Sequence, residues 1–162
     1  MDSTLQGMSE ATVDAPAARI WEMLVDSPNY LPRIWPMVKG VTIESGSQER
    51  VGAVRRCEVE LNGKAGWTVE RCLESTPQRR LAHSIEGDSF GFSRFLRDFW
   101  FAFDLEPTAG DRTIVRVETH YEPRNLAGRI MSAVAIRRRF RGIRETALAN
   151  LRRLATDELR PA

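Results

Sequence analysis

Lysine is almost missing from this sequence. Of its 24 basic residues only Lys39 and Lys64 are lysines, the others being arginine, a bias that a GC-rich genome produces without any functional demand. Histidine and cysteine are equally scarce, with two of each: His83, His120, Cys57 and Cys72. A structural zinc site draws about four thiolate or imidazole ligands from close spacings, so no metal site is expected. Runs of apolar residues stay well short of the roughly 18–20 that a membrane span requires. The opening stretch MDSTLQGMSE has an acidic second residue and no apolar core; a signal peptide is therefore not expected, and the cytoplasm is the default location. Glycine-rich phosphate loops are lacking, as is any spacing that sets a serine or cysteine nucleophile beside histidine. No cofactor is expected.

What is present describes an ordinary folded chain. The 162 residues, 42% hydrophobic and 28% charged, suffice for one domain spanning 1–162 with a buried core. The net charge of +2 hides an asymmetry: ten arginines lie between Arg124 and Arg160 against Glu145, Asp157 and Glu158, a local +7. The rest of the chain is correspondingly acidic, which argues against a protein basic all over, and nucleic-acid binding is not expected because no reading helix is evident.

Periodicity then orders the elements. A strand is expected from about Leu5 to Val13. Asp14 is the expected N-cap of a helix carrying Ile20, Trp21, Leu24 and Val25, with Pro16 in its first turn. Ser27-Pro28 breaks this helix, and a second short one holds Tyr30, Leu31, Ile34 and Trp35 up to Pro36. Asn62-Gly63 marks a hairpin between about Ala53 and Glu74. A three-residue loop that includes Lys64 pairs Leu61 with Ala65, Val59 with Trp67, Cys57 with Val69 and Ala53 with Leu73, gathering apolar residues on one face. Arg56 then faces Glu70 on the solvent side, and Cys57 and Cys72 fall on opposite faces. Further strands alternate Leu81, His83 and Ile85, then Phe95, Arg97, Phe99, Phe101, Phe103 and Leu105, then Val115, Val117, Thr119 and Tyr121 toward the interior. After Pro123 the spacing becomes helical: Leu126, Ile130, Ala133, Ile136, Phe140, Ile143, Ala147, Leu151 and Leu154 form one stripe. A helix from Ala127 to Leu159 would be about 50 Å long, with Gly142 as a kink or a point of close approach. Strands and helices segregated in this way indicate an α+β fold.

The order of elements resembles the helix-grip superfamily, which includes Bet v 1-like, START-related and polyketide cyclase/dehydrase (SRPBCC) proteins. The likeness runs from about Met8 to Ala155 and rests on VDAPAARIWEMLVD with its following proline-bearing helix, on GWTVERCLESTPQRRLAHSIE, on WFAFDLEP and on the closing helix. It implies a curved seven-stranded antiparallel sheet wrapped around a long C-terminal helix, two short helices after strand 1, and an internal cavity for a lipid- or polyketide-like ligand. A narrower likeness is to bacterial aromatase/cyclases, in which a tryptophan followed four positions later by arginine places a cation in the pocket; Trp67 and Arg71 have that spacing. Leu31 and Val38 stand where those enzymes carry an aromatic residue and a tyrosine.

Candidate site residues follow from polar side chains on apolar faces. Arg71 lies between Val69 and Leu73, with Arg55 across the hairpin, and Arg97 lies between Phe95 and Phe99. Such arginines either receive an anionic group through their planar fork or reach the sheet edge and pair with glutamates. His83 is a candidate acid or base, although a histidine on an apolar face more often serves structure. Tyr121 is a candidate hydrogen-bond donor. Trp67, Val69, Phe95, Phe99, Phe101, Cys57 and Trp35 are expected to line the cavity. Three functions are therefore open: an apolar-ligand binder or carrier; a cyclase-type enzyme acting through Arg71, Tyr121 and His83; and an interaction module using Arg137–Arg144. Consecutive helical residues point about 100° apart, so that run makes a solvated helix face with at most transient contact to an anionic surface.

Overall fold

A computed structural model describes residues 3–47 and 50–157. In chain order the elements are β1 (Leu5–Val13), α1 (Ala17–Val25), α2 (Ser27–Ile34), β2 (Val38–Ser45), β3 (Val54–Leu61), β4 (Lys64–Thr76), β5 (Arg80–Asp88), a 3₁₀ turn (Phe92–Arg94), β6 (Leu96–Thr108), β7 (Arg112–Pro123), α3 (Leu126–Met131), a π-helical segment (Ser132–Ile136) and α4 (Arg137–Asp157). Residue 2 and the expected helix end at Leu159 lie outside the described residues.

All seven strands join one antiparallel sheet in the order β1-β7-β6-β5-β4-β3-β2. The chain has the α+β helix-grip fold: the sheet curves round α4, which packs chiefly on β1, while α1 and α2 close one end. The core forms where the inner face of the sheet (Val13, Leu81, Phe103, Leu105, Val115, Val117) meets Leu148, Leu151 and Leu154 of α4 and Ile20, Leu24 and Ile34 of the short helices.

Several expectations about local structure need correction. The residue preceding α1 is Pro16, which makes no side-chain cap bond, and its carbonyl accepts the first helical N–H groups; Asp14 is not the cap. The hairpin between β3 and β4 has a two-residue loop, with Leu61 opposite Lys64. Asn62 and Gly63 both have positive φ, 54° and 72°, the geometry of a type I′ turn, whose twist matches that of the flanking strands. The register therefore differs by one residue from the expected one, and a one-residue shift exchanges the faces. Arg55, Cys57 and Val59 face inward opposite Glu70, Thr68 and Gly66, whereas Arg56, Trp67, Val69 and Arg71 lie on the outer face. Trp67 pairs across from Glu58, and its ring is covered by the Arg56 guanidinium at 4.3 Å. The cation left to Glu70 is Arg55, not Arg56. Cys57 and Cys72 share one buried core instead of falling on opposite faces, and both are free thiols.

A second shift occurs in β6. Asp98 has φ of 50° and the β6–β7 register is interrupted between Arg97 and Trp100. This bulge turns Arg97 out to solvent, its side chain 60% exposed beside Asp98, while Phe99, Phe101, Phe103 and Leu105 continue along the inner face. Phe95 ends the 3₁₀ turn, half-buried. The inward set of β7, Val115, Val117, Thr119 and Tyr121, is buried as the alternation requires.

The C-terminal helical run starts at Asn125, whose side chain accepts from the Gly128 N–H at 2.8 Å. The π segment changes the residues per turn, so α3 is out of phase with the buried stripe of α4. Leu126 and Ile130, expected on the core face, are 72% and 59% exposed. The side chain of Ala133 lies outside the described residues. Gly142 sits within unbroken α4 with nothing within 4 Å of where a Cβ would be, so it is neither the kink nor a point of close approach.

Candidate functional site

Between the inner face of the sheet and α4 the side chains leave a cavity of about 90 Å³, several times the roughly 15 Å³ that a single water needs. Its walls are overwhelmingly apolar. Leu31, Trp35, Met37 and Val38 come from α2 and the start of β2; Val59 and Leu61 from β3; Ile85, Phe92, Phe99 and Phe101 from β5, the 3₁₀ turn and β6; Phe140 and Ile143 from α4. The aromatic members pack against one another, Trp35 edge-on and Phe99 tilted against Phe140. Trp35 lies 6.1 Å from Phe101 and 5.8 Å from Phe103, and Phe99 meets Phe140 at 5.2 Å. Such contacts fix ring orientation, so the space is shaped by rigid walls. A shallow surface groove shares Trp35, Met37, Arg139 and Ile143 with the cavity. There Arg139 Nη1 donates to Asn62 Oδ1 at 2.8 Å, tying α4 to the tip of the β3–β4 hairpin.

Few polar side chains interrupt this lining. Arg55 and Glu70 face each other across β3 and β4, both almost fully buried; Nε and Nη2 donate to Glu70 Oε2 at 2.8 and 2.7 Å. Thr68 Oγ1 donates to the other carboxylate oxygen at 3.1 Å. The pair is internally neutralised. Next to it, burial, with Glu70's negative charge as the next cause, pushes the Cys57 thiol up to about 12, so it stays protonated and unreactive near neutral pH.

Arg144 is different. It reaches inward from α4, 5% exposed, and lines the cavity beside Thr119. Its Nε donates to Ser9 Oγ at 3.2 Å and its Nη1 to Thr119 Oγ1 at 3.1 Å. No carboxylate lies within 4.0 Å of it among the described residues. Burial lowers its pKa from the ordinary arginine value, though a guanidinium still keeps its proton. Gly7 makes the room: a Cβ there would stand 2.5 Å from Arg144 Nη2.

The sequence candidates are distributed as follows. Arg55, Phe99, Phe101 and Trp35 line the cavity. Cys57 is buried beside the Arg55–Glu70 pair. Trp67, Val69, Arg71 and Arg97 are on the outer face or in solvent, and Phe95 is at the turn; none of the five is among the lining residues. Arg71 makes a two-point ion pair with Glu86, at 2.5 and 2.8 Å, and also donates to the Gly52 carbonyl. Tyr121 is fully buried, with its hydroxyl hydrogen-bonded to Ser132 Oγ at 2.7 Å. It backs Phe99 instead of opening on the cavity. His83 is buried against Phe101, the rings stacked at 5.8 Å. Burial, with the Arg55 charge adding to it, holds its pKa well below the ordinary value.

The His83 environment sets a pH dependence. The native ring stays neutral while the unfolded chain takes up a proton near 6.5, so stability falls as pH drops below that value. Above it His83 contributes nothing. The expected loss is at most about 1.4 kcal/mol per pH unit, and His83→Phe should flatten it. Denaturant unfolding of both proteins at pH 7, 6 and 5 measures the difference; parallel curves would contradict the assignment.

Residues missed from the sequence are Arg144, Glu70 and Thr68. Arg144 had a signal: it lies four residues after Phe140, three before Ala147 and seven before Leu151, on the buried stripe itself.

No helix among the described residues is long and apolar enough to cross a membrane. No curated protein matches the sequence. Among solved structures, the chain is similar to a START superfamily protein from Mycobacterium smegmatis (17% identity, TM-score 0.71, covering 93% of this chain and 97% of that one). It is also similar to the Zhui aromatase/cyclase from Streptomyces sp. R1128 (20%, TM-score 0.68, 91% and 93%) and to the ginseng major latex-like protein 151 of Panax ginseng (13%, TM-score 0.69, 92% and 95%). These likenesses establish the fold. A family model described as polyketide cyclase / dehydrase and lipid transport matches residues 7–156, and the chain belongs to that family.

Proposed function

We propose that this protein binds an apolar small molecule in the cavity between its sheet and α4, as a binder or carrier. The observation behind this reading is the cavity of about 90 Å³, walled by rigid aromatic and aliphatic side chains that do not fill it. Pockets with few polar groups take ligands mainly through apolar burial. Membership of a family described as cyclase, dehydrase and lipid transport proteins agrees with ligand binding or cyclase-like chemistry. The binder reading is preferred because the residues expected to do the chemistry lie elsewhere: Arg71 is tied to Glu86 on the outer face, and Tyr121 and His83 are packed behind the wall. The arginine-rich stretch supports an interaction module less well. Arg137, Arg138, Arg139 and Arg141 are exposed around the helix, and Arg137, Arg139 and Arg141 are hydrogen-bonded to Gln6, Asn62 and Glu145.

The test is native mass spectrometry of gently purified protein, together with thermal shifts for a panel of apolar compounds. A retained small molecule, or a compound that raises Tm, is expected. Val59→Phe, which fills the cavity at a cost of about 1–3 kcal/mol, should lower the affinity while keeping the far-UV spectrum. No ligand and no shift with any compound would remove the reading.

A further inference from the structure

Arg144 is a buried cation without a buried anion. Apart from the internally paired Arg55 and Glu70, it is the one charged side chain among the described residues that lines the cavity from a buried position. Two hydroxyls hold its guanidinium, those of Ser9 and Thr119. Hydroxyl dipoles orient a charge but do not neutralise it, and an uncompensated charge in an apolar site is unfavourable unless a counter-ion arrives. Arg139 also lines the cavity, but it is exposed and bonded to Asn62 at the mouth. Glycine at position 7 has a consequence of its own: any side chain there would displace the Arg144 head.

We propose that Arg144 is the anion-receiving subsite of the cavity, and that the ligand is an amphipathic acid whose carboxylate meets this guanidinium while its apolar body lies against Trp35, Phe99 and Phe101. This rests on the cavity-binding reading and narrows its ligand class. The planar guanidinium matches a carboxylate better than it matches a neutral carbonyl or hydroxyl. With Ser9 and Thr119 already engaged on Nε and Nη1, the carboxylate would complete the fork, and the aromatic wall would take the chain.

The experiment compares straight-chain fatty acids of six to ten carbons with the matching alcohols, by calorimetry at pH 8, where the acids are ionised. Wild-type protein is expected to bind the best acid at least about tenfold more tightly than its alcohol, the ratio that a hydrogen-bonded charge pair supplies. Arg144→Gln, which keeps hydrogen bonds to Ser9 and Thr119 possible, should erase that ratio. Arg141→Gln, on the exposed face, should preserve it. In the wild type, independently of any variant, the Arg144 Nε–H resonance should shift on titration with the acid and not with the alcohol. Equal binding of acid and alcohol would overturn the subsite while leaving the cavity reading intact. An acid preference that survives Arg144→Gln, or an Nε–H signal indifferent to the acid, would place the anion elsewhere and overturn it too. Binding of neither series counts against cavity binding itself.

Discussion

Glu70→Leu should destabilise the protein by about 3–5 kcal/mol, the penalty for leaving one member of a buried ion pair without its partner. In this variant Arg55 keeps its charge on the inner face of the sheet, and the two hydrogen bonds it gives to Glu70 Oε2, at 2.8 and 2.7 Å, have no replacement. Thr68 also loses its acceptor. The double variant Arg55→Met/Glu70→Leu should recover most of the loss, because two apolar side chains of similar volume satisfy one another where one charge cannot. Denaturant unfolding of the four proteins in a double-mutant cycle measures this. A double variant as unstable as Glu70→Leu alone would show that the pair acts through something other than mutual neutralisation. The outer-face pair Arg71–Glu86, with both side chains more than a third exposed, is the internal control. Removing Glu86 should cost at most about 1 kcal/mol, as for solvent-screened pairs in general.

Trp35→Ala should have a comparable cost, about 3–5 kcal/mol, with a different signature. Trp35 is 7% exposed, stands edge-on to Phe101 and Phe103, and walls the cavity. Its removal merges the indole's volume with the existing space. The variant should be less stable alone yet gain more from an apolar ligand than wild type does, since binding to the native state alone raises stability by mass action. Thermal unfolding with and without a saturating apolar compound reads both effects. Loss of stability without ligand rescue would indicate that the surrounding helices collapse into the gap. A Trp35→Ala protein as stable as wild type would show that the ring is not packed as described.

How much of this was legible in the sequence depended on whether a single element or a pair of elements decided the matter. The inward sets of β5 and β7 follow from alternation within one strand, and the long helix follows from a change of period. Each of these is a property of consecutive residues. The site was less legible because two local events, each a single residue in size, exchanged faces. A two-residue turn at Asn62-Gly63 sent Trp67, Val69 and Arg71 outward and brought Glu70 in. The positive φ at Asp98 turned Arg97 to solvent while the phenylalanines that follow continue inward. The three-residue loop gathered apolar side chains on one face, but it undervalued the twist preference of Asn-Gly and assumed that the interior contained no buried ion pair. The bulge at Asp98 had only a weak signal, aspartate being depleted in strands and among the residues that tolerate positive φ.

Composition and periodicity by themselves determined the α+β class, the order of the elements, the direction of the core face on most strands and the presence of a long C-terminal helical run. The reason is that each of these minimises exposed apolar surface within its own segment. Which charges are buried together was decided only when the strands and α4 met. Arg55 found Glu70 through cross-strand register, and Arg144 came to lie against β1 and β7 because Gly7 leaves space for it. Electrostatic partnership depends on separations of a few ångströms between residues up to 135 positions apart, and nothing within one segment encodes such a distance.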